Sequence, residues 1–403
     1  MFDTPYSTSR SRLDWLQLAA IAALMLLGTA FVYSATMNDE TLRAVPLHSQ
    51  TWFHQLLWYS LGATAGVLVC MVDYRALARW SFVGYWLTIF LLIAVLVHGI
   101  GTQRFGARRW IDLGVFQFQP SEFAKLAFIL ALAHFLSRPA EEIRLPSNFW
   151  KAIGLMILPF LLILKEPDLG SALVLWPTAL TMLFCAGTPR RYIVRFVGAL
   201  ALLAAFFVAD VLLAPPGRWQ VKLEPYQRQR LLVYFGADFA PRNATPDEAA
   251  EARHVQFESS YQVRQALISV GSGGFWGRGW RHGNQTALGF LPPGAAHNDF
   301  IFSVIAEEEG FVGSIVVLTL YAVVLFCGIR IAGQARDRLG RLVAVGVVAL
   351  LFSHVFINIG MNIRMVPVTG IPLPLLSYGG SSVVGSLIAL GLLQNVYMYR
   401  KAY

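Results

Sequence analysis

His297-Asn298-Asp299-Phe300-Ile301-Phe302 opens an apolar run that continues to Cys327. The run is longer than the ~20 residues that cross a bilayer as a helix. It therefore predicts a membrane helix, with a carboxylate at its mouth. Asp299, Ser303, Ala306 and Gly310 recur at helical spacing. One face is then small or polar, and Phe300, Ile301, Val304 and Ile305 cover the others. An ionisable residue at a membrane helix is expensive and marks a functional site by default. The plainer reading is a helix-start acid favoured by the dipole.

Outward from this stretch, the same apolarity recurs. Hydrophobic residues make up 56% of the chain and charged residues 14%, against roughly 25% charged in soluble domains. Spans are predicted at 15–34, 52–72, 81–98, 120–137, 151–164, 169–187, 193–213, 298–327, 342–362 and 380–399. The fifth is short for a crossing. The fold class is an all-α polytopic membrane protein of about ten helices. Residues 1–403 form a single membrane domain, with 214–297 as one long extracytoplasmic loop. No small-residue cleavage site follows the first apolar run, so that span is read as retained.

The net charge of +9 is a topology signal rather than a nucleic-acid signal. With the N-terminus inside, the cytoplasmic pieces hold sixteen Lys and Arg and the short outer loops six, the bias expected of inner loops. The inner set runs from Arg10 and Arg12 to Arg400 and Lys401. The outer set is Arg43, Arg104, Arg108, Arg109, Lys165 and Arg364. Both termini are then cytoplasmic and Asp299 is outside. Cys70, Cys185 and Cys327 lie far apart in apolar runs, without metal or redox spacing. Gly271-Ser272-Gly273-Gly274 lacks the partners of a nucleotide loop.

Several constellations stand near the outer helix ends. Pro120 suits the first position of the fourth span, and Glu122 and Lys125 follow at a spacing that allows pairing. They read either as a local ion pair or as a lysine presented to an anion with Glu122 orienting it. Arg108-Arg109-Trp110 reads as a phosphate grip or as an interfacial anchor. Lys165-Glu166-Pro167-Asp168 reads as a solvated turn. The prolines of Val366-Pro367-Val368-Thr369-Gly370-Ile371-Pro372-Leu373-Pro374 forbid regular helix. After them, Tyr378-Gly379-Gly380-Ser381-Ser382 offers either free N–H groups to an anion or close packing of small residues. His282 and His297 lie in the long loop without metal-pair spacing. Glu307-Glu308-Glu309 interrupts the eighth span, so at least one of these acids is expected to point to protein, water or a cation. Within the long loop, 241–255 is polar and reads as mobile, and 257–270 as a short amphipathic helix.

Six motifs in order resemble the SEDS family of shape, elongation, division and sporulation proteins over nearly the whole chain. They are Gly106-Ala107-Arg108-Arg109-Trp110-Ile111, Gln119-Pro120-Ser121-Glu122-Phe123-Ala124-Lys125, Pro167-Asp168-Leu169-Gly170, Gly271-Ser272-Gly273-Gly274, His297-Asn298-Asp299-Phe300-Ile301-Phe302, and Pro372-Leu373-Pro374 with Ser377-Tyr378-Gly379-Gly380-Ser381-Ser382. Pro367-Val368-Thr369-Gly370-Ile371-Pro372 and Asn284-Gln285-Thr286 resemble the RodA-like elongation branch more than the FtsW-like division branch. The chain departs from the family pattern at Asn298, where threonine is usual, at Pro293-Gly294-Ala295-Ala296, at Glu309 in place of leucine, and in the loop 241–255.

The resemblance implies a peptidoglycan glycosyltransferase that joins the disaccharides of lipid II outside the bacterial cytoplasmic membrane, in company with a class B penicillin-binding protein. By motif, Asp299 maps onto the essential aspartate, Glu122 and Lys125 onto the family's Glu and Lys, and Arg109 onto its loop arginine. Asp299 is then the expected base. Arg109, Lys125, Glu122, Arg108, His297 and Ser381 are the expected substrate-binding residues, and the family suggests a divalent ion, Mg2+ or Mn2+, beside them. One carboxylate suits a single inverting displacement better than a covalent double displacement. Two rival readings are a lipid II flippase, which needs polar groups at both faces and the midplane, and a non-catalytic scaffold that activates a penicillin-binding protein.

Overall fold

The computed structural model describes residues 12–37, 46–97, 101–104, 107–112, 114, 117–213, 225–239, 245–291 and 293–400. Arg10, Arg43 and Lys401, among the charges counted above, lie outside them. All ten predicted spans are helices: α1 (Trp15–Met37), α2 (Thr51–Met71), α3 (Ser81–Leu96), α4 (Pro120–Leu136), α5 (Pro146–Lys165), α6 (Leu169–Cys185), α7 (Arg190–Leu213), α8 (Ile301–Gln334), α9 (Arg338–Asn362) and α10 (Gly380–Met398). Six of them, α1, α5, α7, α8, α9 and α10, have both the length and the apolarity to cross a bilayer unaided. The bundle is built around α9 and α10, whose most apolar stretches are 72% and 78% buried, whereas that of α7 is 0% buried and lies on the outside.

Helix ends depart from expectation where polar residues belong to the helix. The fifth span starts at Pro146, not at 151, because Pro146 takes the first helical position. It is a full 20 residues. The eighth begins at Ile301, not at 298, and runs to Gln334. Asp299 thus hangs above the helix, while Ser303, Ala306 and Gly310 lie on it. Gly310 has φ 66° and ψ −158°, a break in the middle of an otherwise regular helix.

That break is filled from outside. Arg278 and Gly279 N–H groups donate to the Glu307 and Glu308 carbonyls at 3.0 and 2.8 Å. Phe311 and Val312 N–H groups donate to the Gly274 and Phe275 carbonyls at 2.9 and 3.2 Å. Groups that the break strips of helical partners are therefore satisfied by the 273–279 loop. The long connection is otherwise more ordered than its composition suggests. A helix spans Pro225–Phe235, and another spans Pro246–Ser272, where a mobile stretch and a short helix were expected. Residues 241–244 lie outside the described residues.

Residues 101–118 hold a feature the pattern did not announce, an antiparallel sheet of β1 (Gly101–Arg104), β2 (Ala107–Asp112) and β3 (Gln117–Phe118). Thr102 pairs with Trp110 and Ile111 with Phe118.

Polar knots close the arginine-rich face. The buried Asp14 pairs with Arg330, and its N–H donates to Gln394 Oε1 at 3.0 Å. Asp337 caps α9 through the Gly340 N–H and accepts from Arg75 Nε at 2.8 Å. The ends of α1, α8 and α10 thus meet at one face, the one for which the positive-inside bias predicts the cytoplasm.

Helices α2 and α10 cross at glycines. A Cβ on Gly391 would lie 2.8 Å from Gly66 Cα, and one on Gly66 3.0 Å from the Leu387 carbonyl oxygen. Such contact leaves no room for a side chain. Gly391→Val should destabilise the protein by ~1–3 kcal/mol in thermal melts of the solubilised chain, and an unchanged melting temperature would show that the crossing is not close-packed.

Candidate active site

The turn that carries Asp299 is held on several sides. Asn358 and Asn362 on α9 donate to the Asp299 carbonyl at 3.0 and 3.1 Å. Ser377 Oγ donates to the Asn298 carbonyl at 2.5 Å, and the Tyr378 N–H to the His297 carbonyl at 2.9 Å. Asn362 Oδ1 accepts from the Ser303 N–H and hydroxyl at 3.2 and 2.5 Å, and shares the N–H with the Phe300 carbonyl at 3.0 Å at the start of α8. Gly370, with φ 74°, comes close enough that a Cβ there would sit 3.5 Å from Asp299 Oδ2. Backbone bonds thereby fix where the carboxylate points.

The electrostatics follow from this placement. Asp299 precedes the membrane span and is partly buried. Lost hydration pushes its carboxyl up to about 6, while Arg230 and Arg109 pull it back and Asp168 adds to the rise. Such a group is ionised at neutral pH yet far more basic than an exposed aspartate, as a general base requires.

Arg109 Nε donates to the Glu166 carbonyl at 3.0 Å, and its Nη2 donates to the Pro167 carbonyl. One guanidinium thus ties β2 to the α5–α6 turn and holds its charge within reach of Asp299. That turn is not the solvated one expected from its charges. Glu166 is 0% exposed and Asp168 3%. The Glu166 carboxyl has no hydrogen-bond partner among the described residues. Burial pushes it up to about 9, with Asp168 adding to the rise and Arg109 opposing it, so it is a neutral acid at pH 7. Asp168 caps α6 through the Ser171 N–H at 3.1 Å and accepts from Gln119 Nε2 at 3.2 Å.

A match to known proteins now bears on this geometry. The family model described as cell cycle protein FtsW/RodA/SpoVE covers residues 14–402. The chain belongs to the FtsW/RodA/SpoVE family. It is 34% identical over 391 residues to the peptidoglycan glycosyltransferase MrdB of Escherichia coli strain K12, covering 96% of this chain and 94% of that protein. It is 36% identical over 399 residues to the stage V sporulation protein E of Bacillus subtilis strain 168, covering 98% and 100%. A solved chain from work on the structural coordination of polymerization and crosslinking by a peptidoglycan synthase complex superposes with TM-score 0.75 at 30% identity, over 96% of this chain and 98% of that one. The rod shape determining protein RodA of Thermus thermophilus superposes with TM-score 0.65 at 28% identity, over 99% and 100%.

In this FtsW/RodA/SpoVE chain the other expected residues form a second station. Lys125 lies five residues into α4, ~8 Å below its start, and is 1% exposed. Its Nζ donates to Glu122 Oε1 at 2.7 Å and meets His354 Nε2 at 2.9 Å. An ammonium has only donors, so that ring nitrogen accepts and His354 carries its proton on Nδ1, which donates to the Leu350 carbonyl at 2.9 Å. His354 lies within electrostatic reach of Asp168, and Asp168 within reach of Asp299. Asp168 thus acts electrostatically on both stations.

Ser381 accepts from the Gln119 N–H at 3.0 Å and donates to the Gln117 carbonyl at 3.1 Å, binding the start of α10 to β3. The His297 ring packs edge-on against Tyr378, 5.5 Å between centroids. Arg108 lies in β2, and its side chain lies outside the described residues. Sequence reasoning quoted Asp168 in a motif without giving it a role. It missed Arg230 altogether, because one arginine in a polar loop carries no local signal.

Lys125→Ala should strand the Glu122 carboxylate in the bundle and lower stability by ~3–5 kcal/mol. Adding Glu122→Gln should recover much of that loss. Thermal melts of the three proteins check this, and a single variant as stable as its parent would show the pair to be hydrated.

Proposed function

We propose that this chain is a RodA-like peptidoglycan glycosyltransferase that polymerises lipid II on the outer side of the bacterial cytoplasmic membrane during cell elongation. The observation that carries the reading is a positioned aspartate, pushed up to about 6 and flanked by Arg109 and Arg230, in a chain that matches its family over nearly its full length.

The chemistry follows from those three side chains. A sugar hydroxyl is a poor nucleophile while protonated. Asp299 takes its proton as the C–O bond forms, an effect worth ~10²–10⁴-fold. The departing lipid diphosphate gathers charge, and Arg109, fixed by its bonds to the α5–α6 turn, stabilises it. Such stabilisation is usually the largest catalytic effect. Arg230 favours the ionised form of Asp299. Lys125, Glu122 and His354 fill the deeper station and set the field beneath Asp168. The polyprenyl tail lies along apolar helix faces open to the bilayer.

Among the described residues no three His, Cys, Asp or Glu side chains group as a metal cluster. The donor set does suit a Mg2+ or Mn2+ ion that arrives on the diphosphate, since such an ion needs only one or two protein carboxylates. Asp168, whose oxygens each accept one hydrogen bond and keep a further lone pair, would share it, and Asp299 stays free to act as the base. When bound, the ion would neutralise part of the leaving group's charge. A class B penicillin-binding protein is the expected partner, in keeping with the synthase complex to which the fold is similar.

Asp299→Asn should fold normally and lose at least ~10²-fold in glycan synthesis from purified lipid II. In the parent, activity should fall as pH drops through about 6. Stability runs the other way. The raised carboxyl favours the fold fully below its ordinary value of 3.8, and that contribution is gone above about 6. Asp299→Asn should therefore melt higher than the parent at pH 8 and level with it at pH 3. Undiminished polymerisation by this variant would remove Asp299 from the reaction.

A further inference from the structure

A cavity of about 190 Å³ lies between the helices Pro225–Phe235 and Pro246–Ser272 and the segment after α9. Gln229, Arg230, Ser259, Gln262 and Arg364 bring polar groups to it, with Val366–Val368 as an apolar wall. Two guanidinium groups line it, and none of its described lining residues is acidic. Its volume falls below the ~300–1,000 Å³ of pockets that enclose a drug-sized ligand. It suits a small anionic headgroup and is too small for a disaccharide.

Arg364 is placed there at a conformational cost. Its φ is 61°, in the left-handed region where glycine is at ease and a side chain is not. A bulky cation at such a position points to use of its side chain. Its Nη2 donates to the Val233 carbonyl at 3.2 Å, and Tyr234 Oη donates to the Met365 carbonyl at 2.9 Å. Both bonds clamp the segment after α9 onto the loop helix. Arg230, on the helix Pro225–Phe235, lines the same cavity and acts on Asp299. The wall Val366–Val368 runs on to Gly370, where a Cβ would lie 3.5 Å from Asp299 Oδ2, so the pocket lies beside the base.

We propose that this pocket is a second diphosphate site, which holds the non-reacting lipid diphosphate of the acceptor while Arg109 faces the diphosphate that leaves. The assignment rests on the glycosyltransfer reading, because that reaction joins two lipid-diphosphate sugars at one base. Arginine forks match phosphoryl oxygens bidentately, and the glutamine amides and serine hydroxyl add neutral donors. A group held equally in the ground and transition states contributes to KM and not to kcat.

The test uses the full chain with its partner in nanodiscs of phosphatidylcholine. Arg364→Gly should raise KM for lipid II about tenfold, the worth of a lost charge-assisted hydrogen bond, and leave kcat within about twofold. Glycine relieves the left-handed backbone, which offsets the lost bond to the Val233 carbonyl, so the melting temperature should hold. Arg364→Lys should recover part of the affinity. Inorganic pyrophosphate should compete with lipid II in the parent and lose its effect in Arg364→Gly. An unchanged KM, or a fall in kcat alone, overturns the proposal. If phosphatidylglycerol added to the nanodiscs competes in an Arg364-dependent way and pyrophosphate does not, the pocket holds a bilayer headgroup and the acceptor assignment falls. Binding of a fluorescent polyprenyl diphosphate reads the pocket without turnover. A parent that binds this probe through Arg364 but makes no glycan sinks the transfer reading and keeps a diphosphate pocket. A parent that makes glycan with a KM indifferent to Arg364 sinks the pocket alone.

Discussion

A bilayer has no water to hydrogen-bond a broken backbone, and this chain leaves helix inside its bundle between Asn362 and Gly380. Ile371, Leu373, Leu375 and Leu376 are buried there. The exposed polar backbone of such a segment costs more than its apolar side chains return unless each group finds a partner. Side chains from three helices supply the donors. Tyr59 Oη donates to the Leu375 carbonyl at 2.5 Å from two turns inside α2, and Tyr321 Oη to the Pro374 carbonyl at 2.5 Å from α8. Gln55 donates to the Ser377 carbonyl at 3.1 Å and Asn358 to the Ile371 carbonyl at 2.7 Å. Once fixed, the segment positions the site. Ser377 and Tyr378 grip the Asp299 turn, and Gly370 lies beside the carboxylate.

The same economy governs the charges. A lone buried ion is ruinous, so each must be matched or neutral. Lys125 is matched by Glu122 and by an accepting histidine nitrogen. Glu166 takes the other route and stays protonated, which leaves Arg109 to bond its backbone and not its carboxyl. Arg109 is thereby spared a neutralising partner at close range. Its charge remains available to Asp299 and to whatever anion comes beside it. A turn that ionised Glu166 would spend that charge locally.

The spans were legible because lipid demands long apolar runs, and no soluble domain imitates ten of them. Their ends were less so. Pro146, Arg190 and Arg338 begin helices, yet polar residues at a membrane edge look like loop until the backbone is traced. Asp299 was legible as a carboxylate at a helix mouth, although the helix starts at Ile301, three residues later than expected. Glu166 and Asp168 were misread because three charges in four residues look wet, and only the packing of β2 and α6 over these two makes them dry, while Lys165 stays exposed. The sheet at 101–118 was missed since its alternation is short and full of arginine. Arg230 and Arg364 become neighbours through the tertiary path of a long loop, and no local pattern encodes that.

Glycine explains how that loop is registered to the membrane helices. A Cβ on Gly273 would lie 1.9 Å from the Ala306 carbonyl oxygen, one on Gly277 2.2 Å from that of Glu308, and one on Gly310 2.3 Å from the Gly277 nitrogen. Backbone meets backbone here, so the Gly-Ser-Gly-Gly stretch serves as a clasp rather than an anion loop. The clasp also accounts for two of the three acids in the span. Glu307 Oε1 accepts from the Gln285 N–H at 3.0 Å and Glu308 Oε1 from Ser34 Oγ at 2.5 Å, and both residues are buried against protein. The break at Gly310 turns helix carbonyls outward to the loop, and the acids beneath it bind the next stretch of loop and α1. A straight α8 would offer neither set of groups. The kink is thus what holds the long connection to the helix whose mouth carries Asp299.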